Sequence, residues 1–147
     1  MVTLVDGHNL LFKRFLNKSF QVEKEVEAQS LLISSWVKSK TYLIYDGSGG
    51  RSEKGYEKNL GEQLRIIFSG IDISADDWIV SWLNRHQSKS FKVITDDLKL
   101  RKRIQRNNIQ FESCLKWYQS LQKHKIIKTQ GKSEFGSQAY WEDYFNG

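Results

Sequence analysis

Short apolar runs and helically spaced apolar stripes alternate along this chain. VTLVD at positions 2 to 6 is a run that ends in an acid, and after Gly7 the residues Leu10, Leu11, Phe12, Phe15 and Leu16 recur at helical spacing. A strand running into a helix is the prediction. Val22, Val26, Ile33, Trp36 and Val37 repeat at three- and four-residue steps and predict a second helix. TYLIYD at 41 to 46 is β-branched and aromatic, ends again in an acid, and opens into GSGG, which reads as a strand leading to a flexible loop. QLRIIFS at 63 to 69 predicts a third strand, and Ser74 with Asp77 three residues later is a capping-box-like helix start. The buried face of that helix would hold Trp78, Ile79, Trp82 and Leu83. FKVIT at 91 to 95 predicts a fourth strand, followed by a helix with Leu98, Leu100 and Ile104 among Lys and Arg. IQF at 109 to 111 suits a short fifth strand, and Leu115, Tyr118 and Leu121 mark another helix. The stretch from about residue 126, with its Lys residues, Trp141, Tyr144 and Phe145, is left without an element.

Strands alternating with helices along the whole chain argue for right-handed βαβ units and a mostly parallel sheet covered on both faces. In such sheets ligands bind outside the carboxyl ends of the strands, near the point where the strand order reverses. The chain has 147 residues, one domain's worth, and 39% hydrophobic residues with five Trp supply enough apolar surface for a core. Residues 1 to 147 are therefore expected to form one domain. Pro is absent, so cis-proline turns and Pro-rich linkers are excluded. A single Cys114 excludes an internal disulfide and a Cys-rich zinc site, and it suits a reducing compartment. No run of ~18 apolar residues occurs, and the first residues carry an acid where a signal peptide would be basic. The expectation is a soluble cytoplasmic protein that does not enter a membrane.

The acids change the picture most. Asp6 ends the first predicted strand, Asp46 the second, Asp96 and Asp97 the fourth, while Asp76 and Asp77 open the helix after the third. Carboxylates converging from four segments repel one another unless a cation sits among them, and oxygen donors suit Mg²⁺ or Mn²⁺. Each acid taken singly also has a structural explanation. Asp76 and Asp77 favour a helix dipole, and Asp97 can cap the helix that follows it. Neither a dinucleotide-binding GxGxxG nor a P-loop is present, so a nucleotide cofactor is not expected.

Net charge is +6, which attracts polyanions without identifying one. Lys99, Arg101, Lys102, Arg103 and Arg106 place five cations in eight residues directly after Asp97, and Lys99, Lys102, Arg103 and Arg106 share a helical face by spacing. Such a face could guide a phosphate backbone, or it could be solvated surface. Arg51, Lys54, Lys58 and Arg65 around the Gly-rich loop, and Lys123, Lys125, Lys128 and Lys132 further on, are additional candidates for RNA contact. Tyr56 could stack on a base.

VDGHNLLF, IYDGSGG, LRIIFSGIDISADDWI and VITDDLKLRKRI, in this order, resemble the successive motifs of the YacP-like NYN nucleases of the PIN-like superfamily. The resemblance spans roughly residues 2 to 120. It implies an α/β protein, a PIN-like three-layer α/β/α sandwich with a central, mostly parallel sheet, and a metal-dependent endoribonuclease that leaves a 5′-phosphate and a 3′-hydroxyl. By motif, Asp6, Asp46, Asp76 and Asp97 would hold one or two Mg²⁺ or Mn²⁺ ions, with Asp77 and Asp96 in second rank. Asn9 would position phosphate or water. The family often has an aromatic residue where this chain has His8, so no role for His8 is implied; beside a strand end it reads as a hydrogen-bonded structural group. A single Asp is common where this chain has Asp96 and Asp97, and Asp97 takes the metal by its place in the motif. A looser resemblance reaches the 5′-nuclease domains of DNA polymerases, but 147 residues leave little room for their extra acids and helical arch. Two other acid-rich classes fail on spacing. A haloacid-dehalogenase phosphatase needs an Asp where His8 stands, and a receiver domain needs an acid pair after the first strand and a late Lys at a strand end. The alternative from another class is a non-catalytic RNA-binding module of the same fold, acting on ribosomes or another ribonucleoprotein.

Overall fold

Each apolar run forms a strand whose successive side chains point to opposite faces of one sheet, and both faces are covered. The computed structural model describes residues 1–16, 18–47 and 54–132. In chain order the strands are β1 (Val2–Asp6), β2 (Thr41–Tyr45), β3 (Lys54–Leu60), β4 (Leu64–Gly70), β5 (Phe91–Ile94) and β6 (Ile109–Glu112). The helices are α1 (Gly7–Arg14), α2 (Val22–Trp36), α3 (Ala75–Arg85), α4 (Leu98–Arg103) and α5 (Cys114–Lys132). Their sheet has the order β3-β4-β2-β1-β5-β6, parallel throughout except for β3.

Alternation within the strands divides the core in two. Val5, Leu43 and Tyr45 meet Leu10, Leu11, Ile33, Trp36 and Trp117 from α1, α2 and α5. Their neighbours Leu4, Ile44 and Ile67 meet Ile79, Leu83 and Leu100 from α3 and α4. This is the α/β/α arrangement expected from the sequence, and fully burying each such Leu or Ile contributes about 1.5–3 kcal/mol. Strand order reverses at β1, because β2 and β4 lie on one side of it and β5 and β6 on the other. Asp6 is level with Ile44, and Val5 with Ile94, so the carboxyl ends of the three central strands form one edge.

Three elements differ from the sequence expectations. Strict strand–helix alternation fails at β3, an antiparallel edge strand of sequence KGYEKNL where the sequence suggests only the surroundings of a Gly-rich loop. Its side chains are exposed or half-buried, so it has no apolar alternation to detect; its order comes from the ladder with β4, and its Lys residues discourage further pairing at the sheet edge. The helix after Asp97 stops at Arg103, so Arg106 lies beyond it and does not extend the basic helical face. The helix expected around Leu115 to Leu121 continues to Lys132, into a stretch beyond residue 126 whose sequence predicts no element. Arg51, most of the GSGG loop, and Trp141, Tyr144 and Phe145 lie outside the described residues.

Candidate active site

The site is assembled at the switch-point edge. Asp6 is the last residue of β1 and is buried. Its Oδ2 accepts a hydrogen bond of 3.2 Å from Thr95 Oγ1. The Thr95 hydroxyl in turn accepts the backbone N–H of Asp97 at 3.1 Å. One fully buried Thr therefore ties the end of β1 to the loop after β5. Thr95 carries no signal of this role in the sequence, because a Thr at a strand end looks like any β-branched strand residue. Arg101 locks the same residue from the other side, donating from Nε and Nη2 to the Thr95 carbonyl at 3.1 and 2.6 Å. This holds Arg101 in a structural role within the basic run.

Asp46 follows β2, and its Oδ1 accepts the Ala75 N–H at 2.6 Å, at the start of α3. Asp76 is the next residue of that helix and half-buried. Its carboxyl meets that of Asp97 within hydrogen-bonding reach. Asp97 also caps α4, accepting from Lys99 N at 2.9 Å and Leu100 N at 3.3 Å. Capping and facing another acid are thus not exclusive for Asp97. Burial pushes the Asp6 carboxyl up to about 7, helped by the charges of Asp76 and Asp46. Asp76 is raised as well, by burial first, then by the hydrogen bond and charge of Asp97 and the charge of Asp46. Positions 6, 46, 76 and 97 therefore act on one another electrostatically.

The remaining acids point elsewhere. Asp77 is exposed and pairs with Arg103 Nη2 at 2.7 Å. Asp96 Oδ2 accepts the Cys114 N–H at 3.2 Å and so holds the start of α5. Asn9 Oδ1 accepts the Asp96 N–H at 2.7 Å and faces Cys114 Sγ at 3.2 Å, which joins α1 to the loop that carries Asp96 and Asp97. His8 Nδ1 accepts the Asp46 N–H at 3.1 Å, and burial lowers its proton affinity. Its proton therefore sits on Nε2, and the ring is a neutral strut between α1 and the end of β2. As the side chains stand, no group of three or more His, Cys, Asp or Glu among the described residues is arranged to hold a metal ion. The carboxylate edge is nonetheless all oxygen, the donor type that hard divalent ions take.

The cations are dispersed more than their sequence spacing suggests. Lys99 and Lys102 are exposed on α4, and Arg103 is exposed but paired with Asp77. Half-buried Arg106 donates from Nη2 to the Leu83 carbonyl at 3.1 Å near the end of α3. Lys54 is exposed on β3. Arg65 bonds Asn59 and Glu57 on the opposite face of the edge strand from Tyr56 and Lys58. Among the described residues no helix is long and apolar enough to cross a membrane.

Two solved structures resemble the chain over nearly its whole length. A crystal structure of Rae1 (YacP) from Bacillus subtilis is 17% identical with a TM-score of 0.59, covering 99% of this chain and 91% of that one. A mutant of the same protein is 16% identical with a TM-score of 0.60, covering 95% and 88%. At such identities the likeness speaks for the fold. No curated protein sequence matches. The family model for the YacP-like NYN domain matches residues 3–145, nearly the full chain, and the protein accordingly belongs to the YacP-like NYN domain family.

Proposed function

We propose that this protein is a divalent-metal-dependent endoribonuclease in which Asp6, Asp46, Asp76 and Asp97 hold one or two Mg²⁺ or Mn²⁺ ions. The observation that carries the reading is the meeting of acids from four separate segments at one sheet edge, with Asp6 raised in proton affinity by burial and by Asp76 and Asp46, and Asp76 by burial and by Asp97 and Asp46. Membership of a nuclease-like family makes RNA the substrate class that fits. Bound at this edge, such an ion supplies activation of water and neutralisation of charge on the phosphodiester. The chain's part is positioning: Thr95 fixes the Asp6 carboxylate, Ala75 fixes that of Asp46, and the α4 turn fixes that of Asp97. Lys99, Lys102 and Arg103 lie on α4, directly after Asp97, where cations can steer a phosphate backbone. Incubating the protein with labelled RNA and DNA, with and without Mn²⁺, tests the proposal. Cleavage of RNA that requires the metal supports it, and binding without cleavage overturns it.

A non-catalytic RNA-binding module is the second reading. It is favoured by Asp46 and Asp97 each holding a helix start, a structural task sufficient to explain both acids. Metal titration separates the two. Mg²⁺ or Mn²⁺ should stabilise the folded state by RT ln(1 + [L]/Kd), about 2.7 kcal/mol at a hundred times Kd, seen as a rise in melting temperature. The double variant Asp6→Asn, Asp46→Asn should lose that rise. Unchanged melting of the wild type across millimolar metal speaks for the module.

The basic residues divide by their contacts. Changing Lys99, Lys102 and Arg103 together to Ala should flatten the dependence of log affinity on log salt by roughly 2, at ~0.7 per phosphate contact for single strands. Arg106→Ala should leave that slope alone and lower stability by about 1 kcal/mol, because its hydrogen bond is to the Leu83 carbonyl. A triple variant with an unaltered slope would assign α4 to solvated surface.

A further inference from the structure

A cavity of about 630 Å³ opens beside Asp46, between α2 and the outer strands β3 and β4. Its size lies within the range of small-molecule sites. Tyr56 of β3 and Phe68 of β4 form one side as cross-strand partners, their rings stacked with centroids 4.8 Å apart and planes 22° apart. Phe68 stacks in turn on the fully buried Tyr45 at 5.5 Å and 24°. The outermost ring of this ladder is therefore backed by the core rather than carried on a loop. Glu23 and Glu27, one turn apart on α2, line the opposite side and are exposed. Lys58, on the same face of β3 as Tyr56, adds a cation to the lining.

We infer that this cavity is a base-binding subsite that takes a guanine of single-stranded RNA, beside the backbone held at the acid edge. The aromatic ladder supplies a stacking surface that any base can use. Selectivity comes from the carboxylates, which at neutral pH only accept hydrogen bonds. Guanine alone presents two adjacent N–H donors on its Watson–Crick edge, matching both oxygens of one carboxylate. Adenine and cytosine place one amino group beside an acceptor nitrogen that repels a carboxylate, and uracil sets a single N–H between two carbonyls. Lys58 offers a donor that the phosphate or the guanine carbonyl can accept. The inference rests on the nuclease reading only for the position of the backbone, since Asp46 belongs to both the cavity and the acid edge.

Guanosine 5′-monophosphate, titrated into the protein in the presence of a chelator and followed by amide NMR, tests the subsite. It should bind at least about tenfold more tightly than the adenosine, cytidine and uridine monophosphates, the worth of one charge-assisted hydrogen bond. The shifted amides should be those of Ser30, Leu31 and Phe68, which line the cavity. The double variant Glu23→Gln, Glu27→Gln should lose the guanine preference with its melting temperature unchanged. Tyr56→Ala should weaken all four nucleotides by about tenfold, as loss of a stacking partner does. Equal binding of the four nucleotides, absence of binding, or shifts confined to another surface would overturn the subsite. Neither metal nor cleavage enters this titration, so such a result leaves the nuclease proposal standing. Guanine selectivity in a protein that never cuts RNA would instead overturn the nuclease proposal alone.

Discussion

Asp6→Asn should reduce metal-dependent RNA cleavage by about 10²–10³-fold, the scale of losing one preorganised electrostatic group, and at the same time stabilise the metal-free protein at neutral pH. Ordinary core substitutions do the reverse. The buried Asp6 carboxyl is raised from 3.8 to about 7, first by burial and then by Asp76, so its ionised form is disfavoured in the folded state. Below pH 3.8 both states carry the proton and the group contributes nothing. Between 3.8 and about 7 the native state keeps a proton that the unfolded chain has lost, so stability falls as pH rises through this window. Above it the penalty is complete, about 4 kcal/mol for a shift of this size at 1.36 kcal/mol per pKa unit. Asn keeps an acceptor for the Thr95 hydroxyl but gives up a charge-assisted bond, so the net gain at pH 8 should be about 1–3 kcal/mol. Urea unfolding with a chelator at pH 5 and pH 8, run beside cleavage assays, checks both halves. The wild type should be less stable at pH 8, and the variant should lack most of that slope. Full activity in the variant, or a loss of stability at pH 8, would remove Asp6 from the metal site.

Gly7→Ala is expected to destabilise the fold by about 3 kcal/mol or more, an overpacking penalty at the upper end of its usual range. Replacing Gly by Ala inside a helix ordinarily stabilises by about 0.5–1 kcal/mol, so even the sign is diagnostic. Gly7 opens α1 immediately after Asp6, and a Cβ there would lie 2.5 Å from Tyr45 Cε1 and 2.9 Å from the Ile44 carbonyl oxygen. Tyr45 is poorly placed to yield. It is fully buried, its hydroxyl bonds Gln29 at 3.0 Å and Ser30 at 3.1 Å, and its ring stacks on Phe68. Gln29 also donates to the Gly7 carbonyl at 3.1 Å, so one side chain of α2 ties the turn to the ring it approaches. Thermal unfolding of Gly7→Ala, and of Gly7→Ala combined with Tyr45→Leu, measures the effect. The second change should recover part of the loss by making room for the methyl group. A single Ala variant as stable as the wild type would mean that the close approach of helix and ring does not constrain this turn.

The amino-acid sequence by itself determined the five parallel strands and the helices between them, because a run such as TYLIY is buried at every position and must be mostly apolar on both faces. It also put an acid at or just after the ends of three of those strands and at the start of α3, since strand ends are local features. It could not reveal β3, which is polar because both of its faces lie near solvent and whose pairing partner is β4. Nor could it show that the basic face ends at Arg103, since helical spacing continues on paper past the residue where the chain turns. What each acid faces was likewise decided only by tertiary structure. Asp96 and Asp97 are neighbours in sequence, yet the first turns to the Cys114 N–H and the second to Asp76. Asp6 is raised to about 7 by burial and by two acids from distant segments. Thr95, which links Asp6 to Asp97, carries no signal beyond that of a strand residue; its hydroxyl gains a task only when two strand ends 89 positions apart in the chain are brought side by side.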